Sequence, residues 1–226
     1  DGETFVRKSN GMFVECDVRA LVAHPENPRV IYAGTNEGLY RTDDAGENWV
    51  RLDSPMNNLV IWSLLVDPRR PDTLFAGTRP AHIFRSTDAG RTWAQVGATI
   101  NQLCNNLIFN RVTTLVADPL DADTFWAGIE LDGVRRSRDR GETWTRCDTG
   151  LSSPDIHSLT IAAVGASKRI LAGTNNDLNV SEDGGESWVP QKLAGKFHRP
   201  YFRGIVQKPD EPQVMLMGNG DGPPGS

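Results

Sequence analysis

Apolar residues in this chain come in short bursts, and the bursts recur in a fixed order. One run ends in a turn at proline: Leu21-Val22-Ala23-His24-Pro25, Leu64-Leu65-Val66-Asp67-Pro68, Leu115-Val116-Ala117-Asp118-Pro119. A second closes on small residues, as in Tyr32-Ala33-Gly34-Thr35, Phe75-Ala76-Gly77-Thr78, Trp126-Ala127-Gly128 and Leu171-Ala172-Gly173-Thr174. A third follows, as in Gly38-Leu39-Tyr40-Arg41 and His82-Ile83-Phe84-Arg85, and a fourth, as in Trp49-Val50-Arg51-Leu52. Runs this short, rich in β-branched and aromatic types and bounded by Gly, Pro, Asn and Asp, predict strands. No stretch sustains a helical period.

Between the third and fourth runs lies a polar turn that returns along the whole chain. Its copies are Thr42 to Trp49 (TDDAGENW), Ser86 to Trp93 (STDAGRTW), Ser137 to Trp144 (SRDRGETW) and Ser181 to Trp188 (SEDGGESW), and the chain opens on what reads as the tail of another, ending at Phe5. The closing aromatics are spaced 49−5 = 44, 93−49 = 44, 144−93 = 51 and 188−144 = 44. A period of this size marks a repeat in which no unit buries its core alone. Four short strands per period predict the blade of a β-propeller. The turn has a local logic: Ser/Thr and Asp oxygens bond backbone N–H groups a few residues on, Gly allows φ > 0, and Trp anchors the hairpin. The structural residues by unit are Asp44, Gly46 and Trp49; Asp88, Gly90 and Trp93; Asp139, Gly141 and Trp144; Asp183, Gly185 and Trp188.

The turn resembles the Asp-box, or bacterial neuraminidase repeat, S-x-D-x-G-x-T-W. That motif occurs in sialidases, xyloglucanase-type glycosidases, sortilin-like receptors and photosystem II assembly factors. The resemblance implies an all-β fold, a β-propeller of four-stranded antiparallel blades. Residues 1–226 then form one partial propeller domain of about four and a half blades. The resemblance implies about seven blades in the complete protein, so the remaining blades of the same propeller are expected to close the ring.

Aligned on the first-run residues Leu21, Leu64, Leu115, Leu159 and Ile205, some columns repeat and others vary. The column three residues upstream is always apolar (Val18, Ile61, Val112, Ile156, Phe202), and the column one upstream is always small (Ala20, Ser63, Thr114, Ser158, Gly204). Both belong to packing. Two upstream stand Arg19, Trp62, Thr113, His157 and Arg203; four upstream stand Asp17, Val60, Arg111, Asp155 and Tyr201. Dissimilar polar groups at the start of the innermost strands point to a ligand site at one channel mouth. Arg19, Arg111 and Arg203 suit carboxylate or phosphate, with Trp62 and His157 beside them. The loop after the second run adds Glu130 and Asp132, and a seven-residue insertion before Val112 is placed to form a rim. The plainer reading is that Arg19 pairs with Asp17 or Glu15 and His157 with Asp155. Arg41, Arg85 and Arg136 recur before the turn, so they belong to the repeat.

The sialidase resemblance implies an arginine cluster of Arg19, Arg111 and Arg203, with Tyr201 as nucleophile and Asp17, Asp155 or Glu130 as acid/base. The residues leave alternatives open: a two-carboxylate glycosidase, a lyase using His157 and Tyr201, or a non-catalytic interaction or assembly scaffold.

The chain carries 24 basic and 29 acidic residues, net −5, which argues against a nucleic-acid partner; the arginine column suits an anionic ligand, and the resemblance implies a carbohydrate one. It has no apolar run long enough to span a membrane. Cys16, Cys104 and Cys147 read as free thiols rather than a disulfide framework, which leans towards a cytoplasmic setting. Asp177 to Ser181 alternates oxygen ligands like a calcium loop, but Glu182 stands where such a loop needs Gly, so a turn is expected there. No metal and no cofactor are expected.

Overall fold

The computed structural model describes residues 3–103, 109–193, 196–197, 201–208, 210–211 and 213–220. These form an all-β propeller sector. The first blade holds β1 (Val18–Ala23), β2 (Ile31–Thr35), β3 (Gly38–Thr42) and β4 (Val50–Leu52). The second holds β5 (Val60–Val66), β6 (Leu74–Arg79), β7 (Ile83–Ser86) and β8 (Ala94–Gln95). A short β9 (Gly97–Ala98) precedes the third blade: β10 (Val112–Ala117), β11 (Phe125–Ile129), β12 (Gly133–Ser137) and β13 (Thr143–Arg146). The fourth holds β14 (Ile156–Val164), β15 (Ser167–Thr174), β16 (Leu178–Ser181) and β17 (Val189–Pro190), and β18 (Tyr201–Gln207) pairs with β19 (Met215–Gly220). Neighbours within each blade are antiparallel and sequential. Successive first strands β1, β5, β10, β14 and β18 contact one another and form the inner wall. Among the described residues no helix is long and apolar enough to cross a membrane.

One feature departs from the simple repeat. After leaving blade two, β9 pairs in parallel with β13 of blade three, so the residues before the insertion strap two blades together.

The apolar columns pack between blades. Tyr32, Leu39 and Met56 meet Ile61, Leu74 and Phe84; Phe75 and Ile83 meet Val112, Phe125 and Trp144; Trp126 and Val134 meet Ile156, Ile170 and Trp188. Glycine makes the approach possible. An ideal Cβ on Gly77 would fall 2.3 Å from Ser63 Oγ and 2.6 Å from Val112 Cβ, and one on Gly128 would fall 2.6 Å from Ile156 Cγ2. The small residue at the end of each second strand is therefore set by the next blade's inner strand.

The repeated turn closes as its composition predicts. Gly46, Gly90, Gly141 and Gly185 N–H groups donate to Thr42, Ser86, Ser137 and Ser181 at 2.8–3.0 Å. The Asp oxygen accepts the N–H four residues on, 2.9 Å for Asn48 to Asp44 and 2.8 Å for Thr92 to Asp88. The glycine and the residue before it both have positive φ, for example 64° at Ala45 and 89° at Gly46. Each turn also seats on the blade before it, with Gly141 against Phe75 and Gly185 against Trp126. The recurring arginines complete this seat. Arg41 donates to Ala89 O (3.4 Å), Arg85 to Arg140 O (2.9 Å) and Arg136 to Gly184 O. Each belongs to one blade and holds the turn of the next.

Phe5, the aromatic of the opening copy, is 91% exposed. The residues after it do behave as the end of a unit. Trp49 donates its backbone N–H to Asn10 O and its indole N–H to Lys8 O. Trp188 does the same to Thr149 O and Cys147 O.

Candidate functional site

The variable column sits on a backbone irregularity. In every inner strand the pairing register slips by one residue, between Val18 and Ala20, Ile61 and Ser63, Val112 and Thr114, Ile156 and Ser158, and Phe202 and Gly204. The residues skipped are Arg19, Trp62, Thr113, His157 and Arg203. A bulge leaves one residue out of the ladder and re-aims its side chain. Here it sends the polar column to the channel while the flanking residues pack between blades.

The side chains touch in sequence across the sector. Arg19 pairs with Asp17 at 2.6 Å and lies 5.1 Å from the Trp62 ring centroid. The Arg111 guanidinium lies 4.0 Å from the same ring and binds Glu130. Asp155 Oδ2 is 3.2 Å from His157 Nε2. The His157 ring packs against Tyr201 with centroids 4.4 Å apart and the planes tilted by 38°, and Arg203 lies 4.8 Å over Tyr201. Trp62, Arg111, Thr113, His157 and Arg203 line a cavity of about 130 Å³. The candidates thus gather at one mouth, except that Asp17 stays exposed with Arg19 at its edge. Thr113 lines the cavity although only its column, not its chemistry, pointed to it; its hydroxyl donates to Ile156 O (2.8 Å), tying blade three to blade four.

The electrostatics reshape the expected roles. The arginines do not form a bare cluster, because Asp17 holds Arg19 and Glu130 holds Arg111. Both plain pairings expected from sequence are present, Arg19 with Asp17 and His157 with Asp155. Burial pushes the Glu130 carboxyl above its ordinary value against the pull of Arg111. Burial, then the negative charge of Asp155, pushes the Tyr201 phenol up as well. A nucleophilic tyrosine needs the opposite shift, so this environment disfavours Tyr201 as a phenolate. Glu130 and Asp155 are 5% and 8% exposed and touch two residues that line the cavity, Arg111 and His157.

The insertion reaches the same end of the blade. The Asn101 N–H donates to Asp132 Oδ2 (3.0 Å) and Gln102 binds Ala81 O (2.7 Å); Cys104 lies outside the described residues. Asp177 accepts backbone N–H bonds from Leu178, Lys192 and Leu193, and Leu178–Ser181 form β16, so the calcium-like stretch, expected to be a turn, is the start of a strand.

No family model matches this chain. It is similar to xyloglucanases. An oligoxyloglucan-reducing end-specific xyloglucanase of Emericella nidulans is 26% identical over 189 residues, 76% of this chain and 23% of that protein. The chain therefore spans less than a quarter of this curated relative. Among solved structures, an ancestral GH74 enzyme superposes with TM-score 0.71 at 22% identity, over 90% of this chain and 27% of that one. YCF48 bound to D1 peptide superposes with TM-score 0.60 at 15% identity, over 89% and 60%. At these identities the solved structures speak for the propeller fold.

Proposed function

We propose that this chain is a sector of a glycoside-hydrolase-type propeller whose channel mouth holds a neutral glycan, and that further blades complete the ring. The observation that carries the reading is the cavity at the bulged column, where an indole, a hydroxyl, an imidazole and two guanidiniums converge. Few polar groups around an aromatic ring in a concave site suit a sugar. A neutral sugar is favoured over a sialic acid because Arg19 and Arg111 already have carboxylate partners. The similarity to xyloglucanases supports the polysaccharide class. Residues of this sector bind, and the proposal assigns them no nucleophile.

The test is affinity electrophoresis of the full-length protein in xyloglucan, with reducing-end release measured in parallel. Retardation by xyloglucan, weakened at least tenfold in Trp62→Ala, is the expected result. Binding confined to sialylated or uronate glycans would restore the anionic-ligand reading. A protein that binds no glycan but retains peptides would be a scaffold, a reading that the burial of Glu130 and Asp155 also fits.

A further inference from the structure

Three metal-ligating side chains meet beside the cavity that one of them, His157, lines. Glu130 arrives on the loop between β11 and β12, and Asp155 and His157 arrive at the start of β14. One carboxylate oxygen from each acid and one imidazole nitrogen lie within 4.8 Å of one another. The side chains of Glu130 and His157 are 6% and 8% exposed.

An independent observation falls on the same three groups. Glu130 Oε2, Asp155 Oδ1 and His157 Nε2 are buried and have no hydrogen-bond partner. His157 Nε2 is within ion-pair range of Asp155 Oδ2 but lacks the alignment of a hydrogen bond. Buried polar atoms are nearly always satisfied, and three orphans in one cluster call for an occupant. The other Glu130 oxygen is held by Arg111, which leaves Oε2 as the available ligand atom.

We propose that Glu130, Asp155 and His157 bind a divalent transition-metal ion of the zinc or manganese kind. Two carboxylates balance the ion's charge, and an imidazole selects borderline transition metals over calcium, which prefers six to eight oxygens. Ligands about 2.1 Å from one tetrahedral ion stand about 3.4 Å apart, so the set, now within 4.8 Å, closes by about 1.4 Å at its widest when the ion enters. Three protein ligands leave a coordination position open. His157 also lines the cavity, so that position is reached from the ligand side. Tyr201 packs against the imidazole, its ring tilted 38° to it. A metal here runs against the expectation from sequence, and the proposal stands whether or not the cavity takes a glycan.

The experiment uses tag-free full-length protein stripped with EDTA. Zinc chloride, manganese chloride and calcium chloride are titrated by calorimetry, and bound metal is counted by plasma mass spectrometry. The expected result is one equivalent of zinc or manganese bound at micromolar affinity or tighter, with calcium at least tenfold weaker. Glu130→Gln and His157→Gln each weaken binding at least tenfold, while Asp177→Asn leaves it unchanged. No saturable zinc or manganese binding to the wild-type protein overturns the proposal, whatever the variants do. Undiminished binding by a His157→Gln protein with native circular dichroism overturns it too, since the ion would then sit elsewhere.

Discussion

Arg111 carries more of the site than any other single residue. It covers the Trp62 ring, binds buried Glu130 and lines the cavity. Breaking a buried pair leaves an uncompensated charge, and Arg111→Met should cost about 3 kcal/mol at neutral pH. The sign of its pH dependence follows from Glu130. That carboxyl is already raised in the folded protein, so its contribution is most favourable below its ordinary value and is lost as pH rises through the raised one. Without Arg111 the shift grows. The stability gap between variant and wild type should therefore narrow as pH falls towards 4, as read from denaturation midpoints. A gap that stays constant with pH would assign the loss to packing on Trp62. None of this was legible in the sequence: Arg111 and Glu130 are 19 residues apart, and only the closed blade shows that one neutralises the other.

At the scale of the element, the inner strands owe their geometry to two residue choices. The bulge frees one position per blade from the hydrogen-bond ladder, and the glycine of the second strand lets the next blade approach. Gly77→Ala would drive a methyl group into Ser63 and Val112, and strain of this kind costs about 1–3 kcal/mol. Urea denaturation should show that loss, and a neutral result would mean that blades two and three can separate locally. The strands themselves were legible because their alternation, turn chemistry and period agree. The variable column was legible as well, since dissimilar polar residues at a fixed place in a repeat cannot all serve packing. What the sequence hid was inter-blade. The parallel strap of β9, the arginine seats and the convergence of Glu130, Asp155 and His157 all depend on which blade faces which. Phe5 fits the spacing of the repeat, yet its side chain is exposed.

Across the whole molecule the four polar turns act together under acid. Side-chain bonds from Asn48, Thr92 and Ser187, and backbone N–H bonds beside them, hold Asp44, Asp88 and Asp183 down to about 2 from 3.8. In Asp139 burial pushes up, but the Thr143 bonds outweigh it and the result is again about 2. These depressed groups give stability that is present above 3.8 and is lost as pH falls through about 2. Melting temperature should drop between pH 4 and pH 2, and less steeply in Asp88→Asn; a flat profile would show that the turns contribute nothing through their charge. The arginine seats have a further consequence, because they run one way. Arg41, Arg85 and Arg136 each reach forward to a turn made later in the chain. During synthesis from the N-terminus, every new blade thus emerges onto a receptor that has already been translated. The propeller can grow like a fan opened from one end, each leaf caught by the one before.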